Sequence, residues 1–251
     1  MADFDPRLYG ARWASLYDDF HTGLMDDAGA VAGLAALADG GPLLELGVGT
    51  GRVAVPLAEQ GLEVVGVDVS EEMLAELKKK SSTVTPVVGD MTTVRLEREF
   101  AVVYIAFNSI FVLPTQEDQV RVFRNAAAHL RPGGRFVLET VVVTGAKPGD
   151  ASRFRVSSIE PDRLTVTAGL TDPATGFYNG TWVVFEPDGI KFYPIGGRSV
   201  THHEMDLMAQ LAGLELEHRW SDWQRGKFDG DSTMHVSVYR KPSEETSGEG
   251  S

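Results

Sequence analysis

Five short apolar runs punctuate the first 143 residues: LLELG (43–47), EVVGVD (63–68), VTPVVG (84–89), AVVYIAF (101–107) and RFVLETVVV (135–143). Stretches with apolar residues at helical spacing fill most of the gaps, at 51–60, 71–80 and 116–130. Strands that alternate with helices pair in parallel, and strands that are apolar almost throughout are buried on both faces. The pattern predicts an open α/β sheet with helices on each side. Ligands of such sheets bind outside the carboxyl ends of the strands, where the strand order reverses. The strand ends are therefore where chemistry is expected.

Local signals agree with these boundaries. Ser70 is placed to cap a helix whose first turn carries Glu71 and Glu72 and whose last carries Lys78, Lys79 and Lys80, each sign matching the helix dipole. Gly61 suits the end of the preceding helix, and Pro56 fits that helix only near its first turn. Arg131-Pro132-Gly133-Gly134 predicts an abrupt turn into the fifth strand. Beyond residue 152 the pattern changes. RLTVTAGL (163–170) and GTWVVFE (180–186) alternate partially, with turns at Asp172-Pro173 and Pro187-Asp188-Gly189, which predicts antiparallel strands inserted over 152–198. A helix is expected at 202–212, followed by a hairpin of LELEHRW (214–220) and MHVSVYR (234–240). From Pro242 the segment PSEETSGEGS is too polar to pack and is expected to be disordered.

Composition narrows the classes. With 251 residues, 43% of them hydrophobic, the chain can bury one substantial core. It has no cysteine, which excludes disulfides, thiolate metal sites and cysteine nucleophiles. A formal charge of −13, with Lys78 to Lys80 as the sole basic run, argues against nucleic-acid binding. The N-terminus lacks a basic stretch followed by an apolar one, and no run of about 18 apolar residues occurs, so no membrane span and a cytoplasmic address are expected.

The candidate chemistry begins at the end of the first run. Gly47-Val48-Gly49-Thr50-Gly51 leads directly into a helix, where bare backbone N–H groups can face a ligand and glycine permits close approach. A dinucleotide fingerprint G-x-G-x-x-G would need glycine at position 52, which is Arg52. Asp68 ends the second run 21 residues beyond Gly47, where a carboxylate can accept from both hydroxyls of a ribose. That placement serves a nicotinamide cofactor equally well. Gly89-Asp90-Met91 ends the third run, with a second carboxylate suited to an exocyclic amine and an apolar wall beside it. Glu45 sits inside an otherwise buried run, at a cost in free energy unless it meets a donor or a cation.

Together E-x-G-x-G-x-G (45–51), Asp68, Gly-Asp-Met (89–91) and Arg-Pro-Gly-Gly (131–134) resemble the class I S-adenosyl-L-methionine (SAM) dependent methyltransferases. The resemblance implies a Rossmann-like, seven-stranded, mostly parallel sheet with a C-terminal antiparallel hairpin. It implies one methyltransferase domain over 1–241: a helical cover (1–40), a SAM-binding core (41–143), an antiparallel insert (152–198) and the end of the core (199–241), with 242–251 as a disordered tail. Carried over position by position, Glu45 would help hold the methionine end and Gly47, Gly49 and Gly51 would pass close to it. Asp68 would bind ribose, with Val69 nearby, and Asp90 with Met91 would frame adenine. Phe107, Asn108 and Ser109, at the end of the fourth strand, would lie beside the transferred methyl. No metal is expected.

For the acceptor, the N-terminal stretch holds Tyr9, Trp13, Tyr17 and Phe20 at helical spacing. It resembles the cover of small-molecule methyltransferases, in which the tyrosine of an L-Y-D motif, here Tyr17, touches cofactor or substrate. Trp13 and Tyr17, with Tyr178, Trp182 and Tyr193 of the insert, are the candidate substrate contacts, and the acids Asp18 and Asp19 are candidates for a cationic acceptor. Tyr17 and His202 are the candidate proton-handling groups. Cover and insert together resemble aminosugar N-methyltransferases of antibiotic biosynthesis, which implies a nucleotide-linked deoxyaminosugar as acceptor and a homodimer as the candidate assembly. The family reads about S-S-I-G-H at the fourth strand end, whereas this chain has Asn108-Ser109-Ile110-Phe111-Val112 and lacks the histidine. Small-molecule O-methyltransferases, peptide N-methyltransferases and a SAM-binding protein without turnover stand as alternatives.

Overall fold

The computed structural model describes residues 10, 12–14, 17, 18, 26–144 and 152–243. The apolar runs form the centre of a seven-stranded sheet. β1 (Leu43–Leu46), buried along its length, pairs in parallel with β2 (Val64–Asp68) and β4 (Phe100–Ile105), placing Leu43 opposite both Val64 and Val102. β3 (Thr85–Val88) extends one edge. The other edge is extended by β5 (Leu130–Val141), β11 (Met234–Arg240) and β10 (Glu215–Trp220), giving the order β10-β11-β5-β4-β1-β2-β3. β11 runs antiparallel to both of its neighbours. The chain moves outward from β1 to β3 and then returns to start β4 on the other side of β1, so the strand order reverses between β1 and β4.

Successive strand residues face opposite layers. Leu43, Val64 and Val102 meet Leu34 of α1 (Asp27–Ala38), Leu57 of α2 (Ala54–Glu59) and Leu74 and Leu77 of α3 (Glu71–Lys80). Leu44, Leu46 and Phe136 meet Val122 and Phe123 of α4 (Gln116–His129) and Met205 and Met208 of α5 (His202–Leu211). Each fully buried Leu or Phe contributes about 1.5–3 kcal/mol relative to exposure. The glycine turn after β1 therefore hangs from a strand buried along its whole length.

The capped helix at 71–80 spans Glu71–Lys80, and the Ser70 hydroxyl accepts from Met73 N at 3.2 Å. The helix expected over 51–60 begins later, at Ala54, because Gly51 adopts φ 84°. Pro56 then falls in the first turn, where the missing N–H costs least. The Arg131–Gly134 stretch is looped out within β5: Phe100 pairs with Leu130 but Val102 pairs with Arg135.

A second, four-stranded antiparallel sheet follows, in the order β6 (Ser152–Glu160), β7 (Arg163–Thr171), β8 (Phe177–Glu186) and β9 (Gly189–Arg198). Its two middle strands are those whose alternation was readable. Trp13 and Ala14 pack on this sheet together with Met73 at the start of α3. Tyr9, Asp19, Phe20 and the tail beyond Ser243 lie outside the described residues. Among the described residues no helix is long and apolar enough to cross a membrane.

Candidate functional site

A cavity of about 410 Å³ opens above the carboxyl ends of β1, β2 and β3. Of the residues singled out from sequence it brings together Tyr17, Gly47, Gly49, Asp68, Val69, Asp90, Met91 and Ser109. Glu45, Gly51, Phe107 and Asn108 stand outside its lining, and so do Trp13, Tyr178, Trp182, Tyr193 and His202.

The glycines do different work. Gly47 (φ 80°) turns the chain off β1, and its N–H donates to the Val67 carbonyl at 2.8 Å; a Cβ here would meet Met91 at 3.1 Å. Gly49 (φ 54°) has nothing within 4 Å of where a Cβ would stand, so its bare face is turned to the cavity. Gly51 (φ 84°) serves packing instead: a Cβ there would press on Val55 and Leu77 at 2.9–3.0 Å. Gly51 is thus corrected from a ligand-facing to a packing position.

Asp68 ties the turn together. Its Oδ2 accepts from Gly49 N at 2.8 Å and its Oδ1 from Ser70 N at 2.9 Å. Val69 N also bonds the carboxylate; an ionised carboxylate has about four acceptor sites, so acceptor capacity remains for a ligand hydroxyl. Burial pushes the Asp68 pKa up, against the backbone donors that lower it. Asp90 repeats the design one strand over, its Oδ1 accepting from Thr92 N at 2.7 Å.

Glu45 lies below the cavity floor, only 2% exposed. The donor it requires is supplied by Tyr104, whose hydroxyl reaches Oε2 at 2.8 Å from the paired strand β4. Desolvation raises its pKa to about 8; Tyr104 opposes the shift and the nearby Asp68 charge adds to it. Without a cation beside it, Glu45 holds its proton at neutral pH. Tyr17 stands over the same corner. Burial raises its phenol pKa, Arg52 lowers it, and Glu45, Asp68 and Asp18 add to the rise.

The end of β4 is stiffer than its sequence suggests. Phe107, at φ 50°, donates its N–H to Glu139 Oε2 at 3.1 Å, and Asn108 Oδ1 accepts from Val141 N at 2.9 Å. Asn108 is thereby committed to clamping β5, while Ser109, bonded to the Ala106 carbonyl at 3.2 Å, reaches the cavity wall.

A family model described as a methyltransferase domain matches residues 43–134, the stretch that builds this cavity. The cypemycin N-terminal methyltransferase of a Streptomyces species is 31% identical over 84% of this chain and 89% of its own length. The chain belongs to the SAM-dependent methyltransferases. The solved structure of the CcbJ methyltransferase from Streptomyces caelestis superposes on this methyltransferase with a TM-score of 0.88, at 38% identity, covering 96% of this chain and all of the other. A dTDP-3-amino-3,4,6-trideoxy-alpha-D-glucopyranose N,N-dimethyltransferase of Streptomyces venezuelae is 32% identical over 53% of the chain and 58% of its own length. The nicotinamide alternative, already strained by Arg52, is closed by this kinship.

The acceptor side of the methyltransferase departs from expectation. Trp13 is 2% exposed, packs edge-on against Trp182 and tilted against Tyr193 with ring centroids 5.6 and 5.0 Å away, and donates Nε1–H to the Pro194 carbonyl at 3.2 Å. These three rings form the seam between the N-terminal stretch and the second sheet rather than the cavity wall. Tyr178 turns toward the Phe111 carbonyl, and burial raises its pKa to about 12. His202 stacks on His203 at 3.9 Å and lies against Phe228 and His235 on the far side of α5's start. Asp18 is engaged by the Thr50 hydroxyl at 2.6 Å and by Lys80. Sequence reasoning did not select Met73 or the stretch Val112–Pro114, which also line the cavity. The order of the loops after the second and fourth strands was the signal that could have found them, since both sit at carboxyl ends.

Proposed function

We propose that this methyltransferase transfers the methyl group of SAM to an amine, and that the amine belongs to a nucleotide-linked deoxyaminosugar. The observation that carries the reading is kinship: 32%, 33% and 28% identical relatives are N,N-dimethyltransferases of dTDP-linked aminosugars, and the relative spanning most of the chain also methylates at an N-terminus by its name. The sites follow from the cavity. Asp68 takes the ribose hydroxyls on the acceptor capacity its backbone bonds leave. Asp90 and Met91 frame the adenine, and Val69 lies against it. Gly47 and Gly49 pass under the aminoacyl end, whose ammonium draws Glu45 into its ionised form. SAM supplies an electrophilic methyl on a sulfonium.

The chain's own contribution is alignment. Transfer needs the amine lone pair in line with the breaking S–CH3 bond, and well-oriented encounters lower barriers by roughly 7–11 kcal/mol. Tyr17 and Ser109, whose hydroxyls belong to residues lining the cavity, are the groups offered to orient the amine. A buried phenol of raised pKa keeps its proton and acts there as a hydrogen-bond partner rather than as a base.

A second reading, methylation of a peptide N-terminus, is favoured by the 84% span shared with the cypemycin enzyme. Turnover measured by product mass on dTDP-aminosugars, short peptides with free N-termini and hydroxyl-bearing analogues separates the readings. The proposal expects mass gain on the aminosugars at far higher kcat/KM than on the others. Gain on the peptides alone selects the second reading, and gain on hydroxyls alone contradicts both.

A further inference from the structure

The segment that leaves β3 lines the cavity with Asp90, Met91 and Thr92 before it reaches β4. Its internal bonds are short-range: Thr92 N donates to Asp90 Oδ1 at 2.7 Å, and Thr93 N and Val94 N donate to the Asp90 carbonyl at 3.0 and 2.8 Å. They shape a turn without fixing where it sits. Two polar side chains of α4 supply the fixing. Asn125 and His129 are 1% and 2% exposed, and their i, i+4 spacing puts them on one face of the helix. Asn125 donates Nδ2–H to the Met91 carbonyl at 2.8 Å and accepts from Arg95, whose guanidinium also donates to the Val94 carbonyl at 2.8 Å. His129 accepts from Leu96 N at 3.0 Å. A polar group buried beside Val122, Phe123 and Ala126 costs free energy unless it is bonded. Among the described residues, every bond these two side chains make to another element goes to the segment 91–96.

One tautomer of the imidazole fits. Nδ1 lies 2.9 Å from the Asn125 carbonyl, which can only accept, so Nδ1 carries the hydrogen. Nε2 keeps the lone pair that the Leu96 N–H requires. A second proton would set N–H against N–H. Burial opposes that proton most, the Asn125 carbonyl favours it and the Arg95 charge opposes it, which leaves the pKa below the usual 6.5. The other cations beside the ring are already paired. Arg98, over the Phe100 ring that lies 6.3 Å from the imidazole, bonds Glu63 at 2.5 Å, and Lys241 donates to the Ala127 and Leu130 carbonyls at 2.9 and 2.6 Å.

We propose that Asn125 and His129 are positioning residues that hold the segment 91–96 in the shape that receives adenine, given that adenine lies against Asp90 and Met91, and that acid releases the histidine's hold. Asn125 fixes the Met91 peptide and His129 the far end of the segment, and the turn between them aims the Asp90 carboxylate. The hold is complete above pH 6.5 and is lost as the pH falls through the lower value of the folded chain.

Calorimetric titration of the full chain with SAM against pH tests this. Asn125→Ala is expected to lower affinity roughly 10-fold at neutral pH. Below pH 6.5 the wild type is expected to lose affinity more steeply than His129→Gln, whose side-chain carbonyl accepts from Leu96 N without titrating, while His129→Phe binds weakly throughout. The Glu45 dependence is common to these chains and cancels in the comparison. Parallel profiles for the wild type and His129→Gln overturn the proposal, as does full affinity in Asn125→Ala where Asp90→Ala has lost it. Full affinity in Asp90→Ala as well overturns the adenine placement itself. A readout on the wild type needs no variant: the ring nitrogen chemical shifts of His129 at neutral pH are expected to be those of the Nδ1–H tautomer. An Nε2–H tautomer or a charged ring there overturns the proposal.

Discussion

The floor of the cavity and the inserted sheet beside it are built on opposite logic. The floor hangs from β1, whose Leu43, Leu44 and Leu46 are fully buried, and its polar groups are bonded before any ligand arrives: Asp68 to Gly49 and Ser70, Asp90 to Thr92, Glu45 to Tyr104. The inserted sheet has one face held by three aromatic rings and the other left apolar and bare. A preorganised floor suits a constant cofactor, since ordering costs are met in folding rather than in binding. A sheet attached through a separate seam can change without disturbing that floor.

The sharpest way to break this division is at the seam. Trp13→Ala removes a fully buried ring and is expected to cost about 3–5 kcal/mol of stability, read as a lower melting temperature. Because the seam is not the cavity floor, KM for the acceptor should rise more than the affinity for SAM falls. A variant that loses SAM binding and keeps its acceptor KM would reverse the two roles.

Gly49→Val acts on the floor alone. A β-branched residue at φ 54° is strained by roughly 1–2 kcal/mol, and its side chain enters the cavity. Titration calorimetry should show SAM affinity down by at least about 100-fold, near 3 kcal/mol, with the circular dichroism of a folded chain. Asp68→Asn is milder. It keeps the shape but weakens charge-assisted hydrogen bonds, which contribute about 1.5–3 kcal/mol, so affinity should fall roughly 10- to 100-fold. Unchanged affinity would place the ribose elsewhere.

Glu45 gives the smallest effect on affinity and the clearest pH signature. Its pKa in the folded chain is raised from an ordinary 4.5 to about 8. The folded state therefore holds a proton that the unfolded chain gives up. Its stabilising contribution is complete below pH 4.5 and is lost as the pH climbs through about 8, by several kcal/mol at 1.36 kcal/mol per unit. A ligand ammonium that ionises Glu45 releases that proton, so SAM affinity should rise as the pH climbs toward about 8 and the binding heat should depend on the buffer. In Glu45→Gln both dependences should flatten.

What the sequence disclosed divides along the same line. Periodic apolar runs, the Ser70 cap and the spacing from Gly47 to Asp68 are local signals, and they located the core sheet and most of the cavity floor. The partners of polar groups are not local. Tyr104 lies 59 residues from Glu45 and Val141 is 33 from Asn108, so only the register of paired strands reveals that the first acid is satisfied and the asparagine committed. The aromatic residues of the insert read equally well as ligand contacts or as packing; the arrival of Trp13 made Trp182 and Tyr193 packing. β6 and β9 escaped notice because a bulge between Val156 and Ser158 breaks one alternation, and Pro194, Gly196 and Gly197 break the other.

The central claim is that the floor is already shaped for its ligand, with Asp68 serving the loop and the ribose at once. A crystal structure with the demethylated cofactor, S-adenosyl-homocysteine, tests it most directly. The account predicts both ribose hydroxyls within hydrogen-bond distance of Asp68 while Gly49 N and Ser70 N keep their bonds to it, and adenine between Asp90 and Met91. A ribose bound away from Asp68, or a glycine turn that must rebuild to admit the ligand, would contradict it.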